Sequence, residues 1–216
     1  VRALVFDVGE TLVDESRAWS EQARRVGVTP FALMGVVGSL IERGRDHRDA
    51  WQILGVEPPD APPPLSAVDL YPDAAACVRT ARAFGLRVGI AGNQPAGVEA
   101  QLAAVGFEAD FIASSAAWGV SKPSPGFFTR VAEESGVERD RILYVGDRLD
   151  NDVLPARDAG MRTAFLRRGP WGYIQARRAE VALADLRLGS LRELEELIAA
   201  RAGALPLRDG RLDPES

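Results

Sequence analysis

Ala3-Leu4-Val5-Phe6-Asp7-Val8-Gly9-Glu10-Thr11-Leu12 holds a four-residue apolar run that halts at a carboxylate. A run this short, closed by a polar residue and a glycine, reads as a buried strand that delivers an acidic side chain at its carboxyl end. The pattern recurs at residues 86–91, 111–113, 142–145 and 163–166. Between these runs, helical spacing of apolar residues covers 72–84, 95–105, 125–135, 151–159 and 190–201. Several of these segments start near a proline and stop at Gly85, Gly106, Gly136 or Gly160, the start and stop signals of helices. Short strands alternating with helices require right-handed crossovers and hence a parallel sheet covered on its faces. The expected fold is α/β, a doubly wound parallel sheet.

The alternation breaks once, after the first strand. Residues 15–26, 30–43 and 46–54 each show helical spacing, as in Phe31, Met34, Val37, Leu40 and Ile41, with no strand among them. The stretch leaves through Glu57-Pro58-Pro59-Asp60-Ala61-Pro62-Pro63-Pro64, whose prolines favour an extended, semi-rigid connection. The expected organisation is a Rossmann-like core at 1–13 and 70–202, a small α-helical subdomain with its linker at 14–69, and a loosely held tail at 203–216.

Bulk properties narrow the function classes. With 216 residues and 46% hydrophobic content the chain can bury a full core, and its net charge of −5 argues against binding a nucleic-acid backbone. The one cysteine, Cys77, lies in an apolar helical context, so neither a disulfide framework nor a cysteine metal site is expected. No signal peptide or long apolar run is recognised, so a cytoplasmic protein without a membrane partner is expected, as monomer or homodimer. Of the 26 lysines and arginines one alone is lysine, Lys122, in Ser121-Lys122-Pro123-Ser124-Pro125. An ammonium is a compact point charge with rotatable donors, which makes its single use a sign of function.

In an open α/β sheet ligands bind beyond the carboxyl ends of the strands. The first strand ends at Asp7, the second at Gly92-Asn93, the third leads to Lys122, and the fourth ends in Gly146-Asp147-Arg148-Leu149-Asp150-Asn151-Asp152. Asp7, Asp147 and Asp152 would then meet one ammonium at one sheet edge. Like charges this close repel unless a cation sits among them, and hard oxygen ligands point to Mg²⁺ together with substrate phosphate.

Asp7-x-x-x-Thr11-Leu12, a polar residue closing the second strand, Lys122-Pro123-x-Pro125 and Gly146-Asp147 followed by Asp152 resemble the haloacid dehalogenase superfamily in order and spacing, over roughly residues 1–200. The resemblance implies an aspartate nucleophile at Asp7 that is phosphorylated, Mg²⁺ held by Asp7, the Gly9 carbonyl, Asp147 and Asp152, and phosphate contacts from Thr11, Gly92, Asn93 and Lys122. It implies a small phosphorylated substrate and a helical cap that selects it. A phosphatase is the leading expectation. Two departures from the family pattern stand out. Gly9 occupies the position of the Asp that protonates the leaving group, and Gly92 that of a Ser or Thr that contacts the phosphoryl group. From the first, Gly9→Asp is expected to raise activity on alkyl phosphates.

The alternatives are a site that has lapsed into binding a phosphorylated ligand and, less favoured, a dehalogenase, a branch that does without a metal and carries an aromatic residue where Gly9 stands, whereas this chain keeps the full acidic pair. A phosphonatase would need a cap lysine, which is lacking, and a mutase would need the missing Asp. A phospho-accepting receiver module has its lysine after its acidic set rather than before it. His47, beside Arg43, Arg45 and Arg48, is a candidate substitute for the acid or a contact for an anionic substrate. Glu10 should point away from Asp7 and serve structure.

Overall fold

The computed structural model describes residues 1–203. Six parallel strands, β1 Ala3–Phe6, β2 Arg87–Gly92, β3 Phe111–Ser114, β4 Ile142–Gly146, β5 Arg162–Leu166 and β6 Leu186–Leu188, form one sheet in the order β3-β2-β1-β4-β5-β6. The helices are α1 Ser16–Arg25, α2 Pro30–Glu42, α3 Asp49–Ile53, α4 Ala74–Ala83, α5 Val98–Ala104, α6 Ser115–Trp118, α7 Pro125–Ser135, α8 Leu154–Asp158, α9 Gly169–Gln175 and α10 Leu191–Gly203.

Side chains alternate across the sheet, so β1 feeds two cores at once. Leu4 and Phe6 pack with Cys77 and Val78 of α4, Leu102 of α5 and Leu194 of α10. Ala3 and Val5 pack on the opposite face with Phe127, Phe128 and Val131 of α7. Burial on both faces explains why β1 and β4 read as continuous apolar runs. The strand order reverses between β1 and β4, and the crevice at that switch point lies at the ends that carry Asp7 and Asp147.

The terminal signals act where expected in two helices. Thr29 accepts from Ala32 N–H ahead of Pro30, and Ser124 accepts from Gly126 N–H ahead of Pro125. Elsewhere the boundaries move. The helices expected from 72 and 95 begin at Ala74 and Val98, and the one expected from 151 begins as a π-helical turn, Leu149–Val153, that merges into α8. β6, α6 and α9 lie outside the expected elements: β6 is only Leu186-Arg187-Leu188, α6 is the single turn Ser115–Trp118, and α9 opens on Gly169-Pro170, which reads as a turn.

Helices α1 to α3 bury Ala23, Leu33, Val37, Leu40, Ala50 and Trp51 against one another and against Trp171 of α9. The chain enters and leaves these helices side by side. Val13 pairs antiparallel with Leu70, and Asp14 N–H donates to Asp69 O at 2.7 Å. Arg17 grips Asp69 through Nε and Nη2, at 2.7 and 2.6 Å, and Nη2 also reaches Pro64 O at 2.8 Å. The expected tail lies, beyond Gly203, outside the described residues. No single described helix is long and apolar enough to cross a membrane.

Candidate active site

Asp7 leaves β1 at the switch point, and Lys122 Nζ lies 2.6 Å from its Oδ1 and 2.5 Å from Asp152 Oδ1. Two local features hold this ammonium. Asn93 clamps the Lys122 backbone, with its Oδ1 accepting from Lys122 N–H at 2.8 Å and its Nδ2 donating to Lys122 O at 3.0 Å. The Lys122 side chain packs on Phe127 and Tyr144, whose ring centroids lie 5.9 and 5.5 Å from Nζ. The Lys122–Pro123 peptide is cis.

Asp7, Asp147 and Asp152 are all buried, and each offers a carboxylate oxygen within 4.8 Å of the others. Burial, and then the neighbouring carboxylates, push Asp147 and Asp152 well above the usual carboxylate range. Burial opposes the Lys122 charge, but Asp152 and Asp7 outweigh it and hold its pKa well above that of a free lysine. One ammonium therefore faces three carboxylates. Asp147 Oδ2 is buried without a hydrogen-bond partner. An oxygen-only donor set, over-charged and with one orphaned oxygen, fits a hard divalent cation such as Mg²⁺.

Four glycines leave the space that carboxylates of the site occupy. A Cβ on Gly92 would collide with Asp7 Oδ1 and crowd Val8, and one on Gly146 would overlap Asp152. A Cβ on Gly169 would lie 2.5 Å from Glu10 Oε2, and one on Gly9 would lie 2.6 Å from Glu15 Oε1. Gly92 is thus the residue that lets Asp7 sit against β2. A Ser or Thr there would displace Asp7 from this position.

A cavity of about 300 Å³ opens over these groups. Asp7, Asp147 and Lys122 line it together with Gly9, Glu15, Trp19, His47, Arg148 and Trp171. The His47 ring stands edge-on between Trp19 and Trp171, at centroid distances of 5.8 and 5.2 Å. Burial, then the nearby Arg148 charge, lower its pKa and favour the neutral imidazole. The Arg148 guanidinium lies 4.9 Å from the Trp171 ring centroid and pairs with Asp150 at 2.8 Å. Glu15 is half-buried, its Oε2 accepts from Trp19 Nε1 at 3.3 Å, and burial followed by the charges of Glu10 and Asp7 pushes its pKa up to about 7.

The structure brings Asp7, Lys122, Asp147 and Asp152 together and places Gly9, Gly92 and Asn93 around them. Two residues expected at the phosphate have other partners in this structure. Thr11 is fully buried and does not line the cavity; its carbonyl accepts from Arg168 Nη1 at 2.9 Å, so it anchors the loop instead of meeting phosphate. The Asn93 amide is engaged with the Lys122 backbone, so its visible work is to position that loop. The cluster around His47 divides: His47 turns inward, whereas Arg43, Arg45 and Arg48 are exposed, and Arg45 and Arg48 pair with Asp49 and Asp46. Glu10 adopts φ 53° in a turn, not the extended backbone its reading assumed, and it lines the cavity while accepting from Tyr71 O–H at 2.6 Å and Glu15 N–H at 3.1 Å. Sequence reasoning missed Glu15, Trp19, Arg148 and Trp171. Following the fifth strand to its carboxyl end would have reached Trp171; nothing in the sequence marks Glu15.

Comparison with known proteins agrees with this geometry. The family model for haloacid dehalogenase-like hydrolases matches residues 1–160, so the chain belongs to that family of hydrolases. A glyceraldehyde 3-phosphate phosphatase of Methanopyrus kandleri is 27% identical over 92% of this chain and 97% of its own length. A phosphoserine phosphatase of Thermus thermophilus is 33% identical over 58% of this chain and 49% of its own. In fold the chain is similar to the L-2-haloacid dehalogenase of Xanthobacter autotrophicus, with a TM-score of 0.67 at 23% identity, covering 92% of this chain and 98% of that one.

Proposed function

We propose that the protein is a Mg²⁺-dependent phosphatase that hydrolyses a small phosphorylated metabolite through an aspartyl phosphate on Asp7. The observation that carries this reading is the contact of Asp7 with Lys122 beside Asp147 and Asp152, in the cavity between the strand ends and the inserted helices. Phosphatases among the relatives support it.

Asp7 Oδ attacks phosphorus, and splitting hydrolysis into two displacements at one carboxylate replaces one difficult step with two easier ones. Lys122 offsets charge on Asp7 and on the phosphoryl oxygens, and being held by two carboxylates and two rings it needs no reorganisation to do so. Asp7, Asp147 and Asp152, with the Gly9 carbonyl, would hold Mg²⁺, which supplies charge neutralisation at the transferring group. Helices α1 to α3 act as a cap, and Trp19 and His47 from it, facing Trp171 and Arg148, would meet the part of the substrate beyond the phosphate.

The test is turnover of para-nitrophenyl phosphate and acetyl phosphate with Mg²⁺ by the wild type and Asp7→Asn. Hydrolysis that disappears in the variant is expected. Equal rates in the two proteins refute the reading, and saturable phosphate binding without turnover of a broad panel would favour a lapsed, ligand-binding site.

A further inference from the structure

Resting on the phosphatase reading, we propose that Glu15 is the proton donor to the leaving group and the base for the water that follows. An alkoxide leaves phosphorus slowly unless it is protonated as the bond breaks, so a donor must reach the far side of the phosphoryl group from the nucleophile. The cavity offers few candidates. Asp7 is the attacking group, and Asp147 and Asp152 belong to the cation cluster. Glu10 is committed to Tyr71 O–H and Glu15 N–H. His47 is wedged edge-on between two indoles. Glu15 is a carboxyl on the cavity wall that none of these duties uses.

Its position is specific. Glu15 Oε1 stands 2.6 Å from where a side chain on Gly9 would begin, two residues along from Asp7. The loop returns on itself to bring this about: Glu10 accepts from Glu15 N–H, and Trp19 Nε1 steadies Glu15 Oε2 at 3.3 Å. A long side chain arriving from the start of α1 thereby fills the volume that a short acidic side chain on residue 9 would otherwise enter.

The proton balance closes over the two steps. As the Asp7–phosphorus bond forms and the phosphorus–oxygen ester bond breaks, the departing oxygen takes the Glu15 proton and leaves as an alcohol. Glu15, now a carboxylate, takes a proton from water as that water attacks phosphorus. The Asp7–phosphorus bond breaks, phosphate is released, and Asp7 carboxylate and Glu15 carboxyl are restored.

Geometry also revises the expectation for Gly9→Asp. The new side chain would have to push the Glu15 carboxyl aside, so the single substitution should exchange one acid for another without raising activity; combined with Glu15→Ala, which clears the space, Gly9→Asp should restore what Glu15→Ala loses.

The experiment compares leaving groups. Glu15→Gln keeps the size of the side chain and removes its acid. In kcat/KM, which reads only the steps up to release of the alcohol, glycerol phosphate should fall by about 10²–10⁴ and para-nitrophenyl phosphate, whose phenolate needs little protonation, by less than about 10-fold; breakdown of the aspartyl phosphate, common to both, should slow alike. The Gly9→Asp/Glu15→Ala protein should recover glycerol phosphate turnover relative to Glu15→Ala. An equal loss of kcat/KM on both substrates, or no recovery in the double variant, would overturn the assignment of Glu15 while Asp7-dependent turnover leaves the phosphatase reading standing. If the wild type turns over neither phosphate, both fall together.

Discussion

Asp147→Asn tests the over-charged cluster directly, because it removes one charge and little volume. Carboxylate oxygens up to 4.8 Å apart repel by about 3.5 kcal/mol per pair at an effective dielectric constant of about 20. Asp147 faces two such neighbours, Asp7 and Asp152, and the single ammonium of Lys122 offsets part of that. Proton uptake by the cluster caps the remainder, so the variant should be more stable than the wild type by about 1–3 kcal/mol in chelator. With a divalent cation bound the order should reverse. Wild type gains about 2.7 kcal/mol when free Mg²⁺ stands at a hundred times its dissociation constant, and the variant, having lost a ligand, gains much less. Urea unfolding of both proteins, in EDTA and in excess MgCl₂, reads all four values. A variant less stable than wild type in EDTA, or one that Mg²⁺ stabilises as strongly as wild type, refutes the reasoning.

Lys122→Met should act in the opposite direction, costing about 3–5 kcal/mol in the same assay, because it strands buried carboxylates without their counter-charge. Gly92→Ser should cost about 1–3 kcal/mol through the collision with Asp7, and should lower Asp7-dependent turnover instead of supplying a phosphate contact, which paired stability and activity measurements would reveal. Cys77 is fully buried, and burial, reinforced by the Glu195 and Asp73 charges, pushes its thiol up to about 12; at pH 8 it should resist iodoacetamide in the native protein and react once urea unfolds it, as mass spectrometry would show.

The parts of this molecule that were legible in the sequence are those set by local rules. Ala3 to Phe6 announces a strand buried on both faces, and the strand-end rule then gathers Asp7, Lys122, Asp147 and Asp152 without knowledge of their distances. Gly136 ends α7 in a left-handed conformation, as a helix stop should. What escaped depends on long-range packing or on a turn. The π-helical turn at Leu149–Val153 rests on Gln175 of α9, whose Oε1 accepts from Leu149 N–H. His47 meets Trp171 only because α2 and α3 dock on α9. Glu15 reaches Gly9 because the chain passes through a positive φ at Glu10, a conformation that no propensity assigns to glutamate. Thr11 and Asn93 sit beside the site, but the Thr11 carbonyl meets the Arg168 guanidinium and the Asn93 amide meets the Lys122 backbone, partners that only the fold reveals.

The paired stem formed by Val13 with Leu70 and by Arg17 with Asp69 makes the helical insert a replaceable part. The chain enters and leaves the insert through one narrow neck, so the span between β1 and α4 does not depend on how many helices hang from it, provided that an insert presents a face that docks on α9 as α2 does. A different insert could be grafted at the neck, exchanging Trp19 and His47 and hence the shape offered to a substrate. Glu15 lies on the sheet side of the Arg17 clamp, tied by its own N–H to Glu10. Such an exchange would carry away the surface that chooses the ligand and leave the proton donor with the nucleophile.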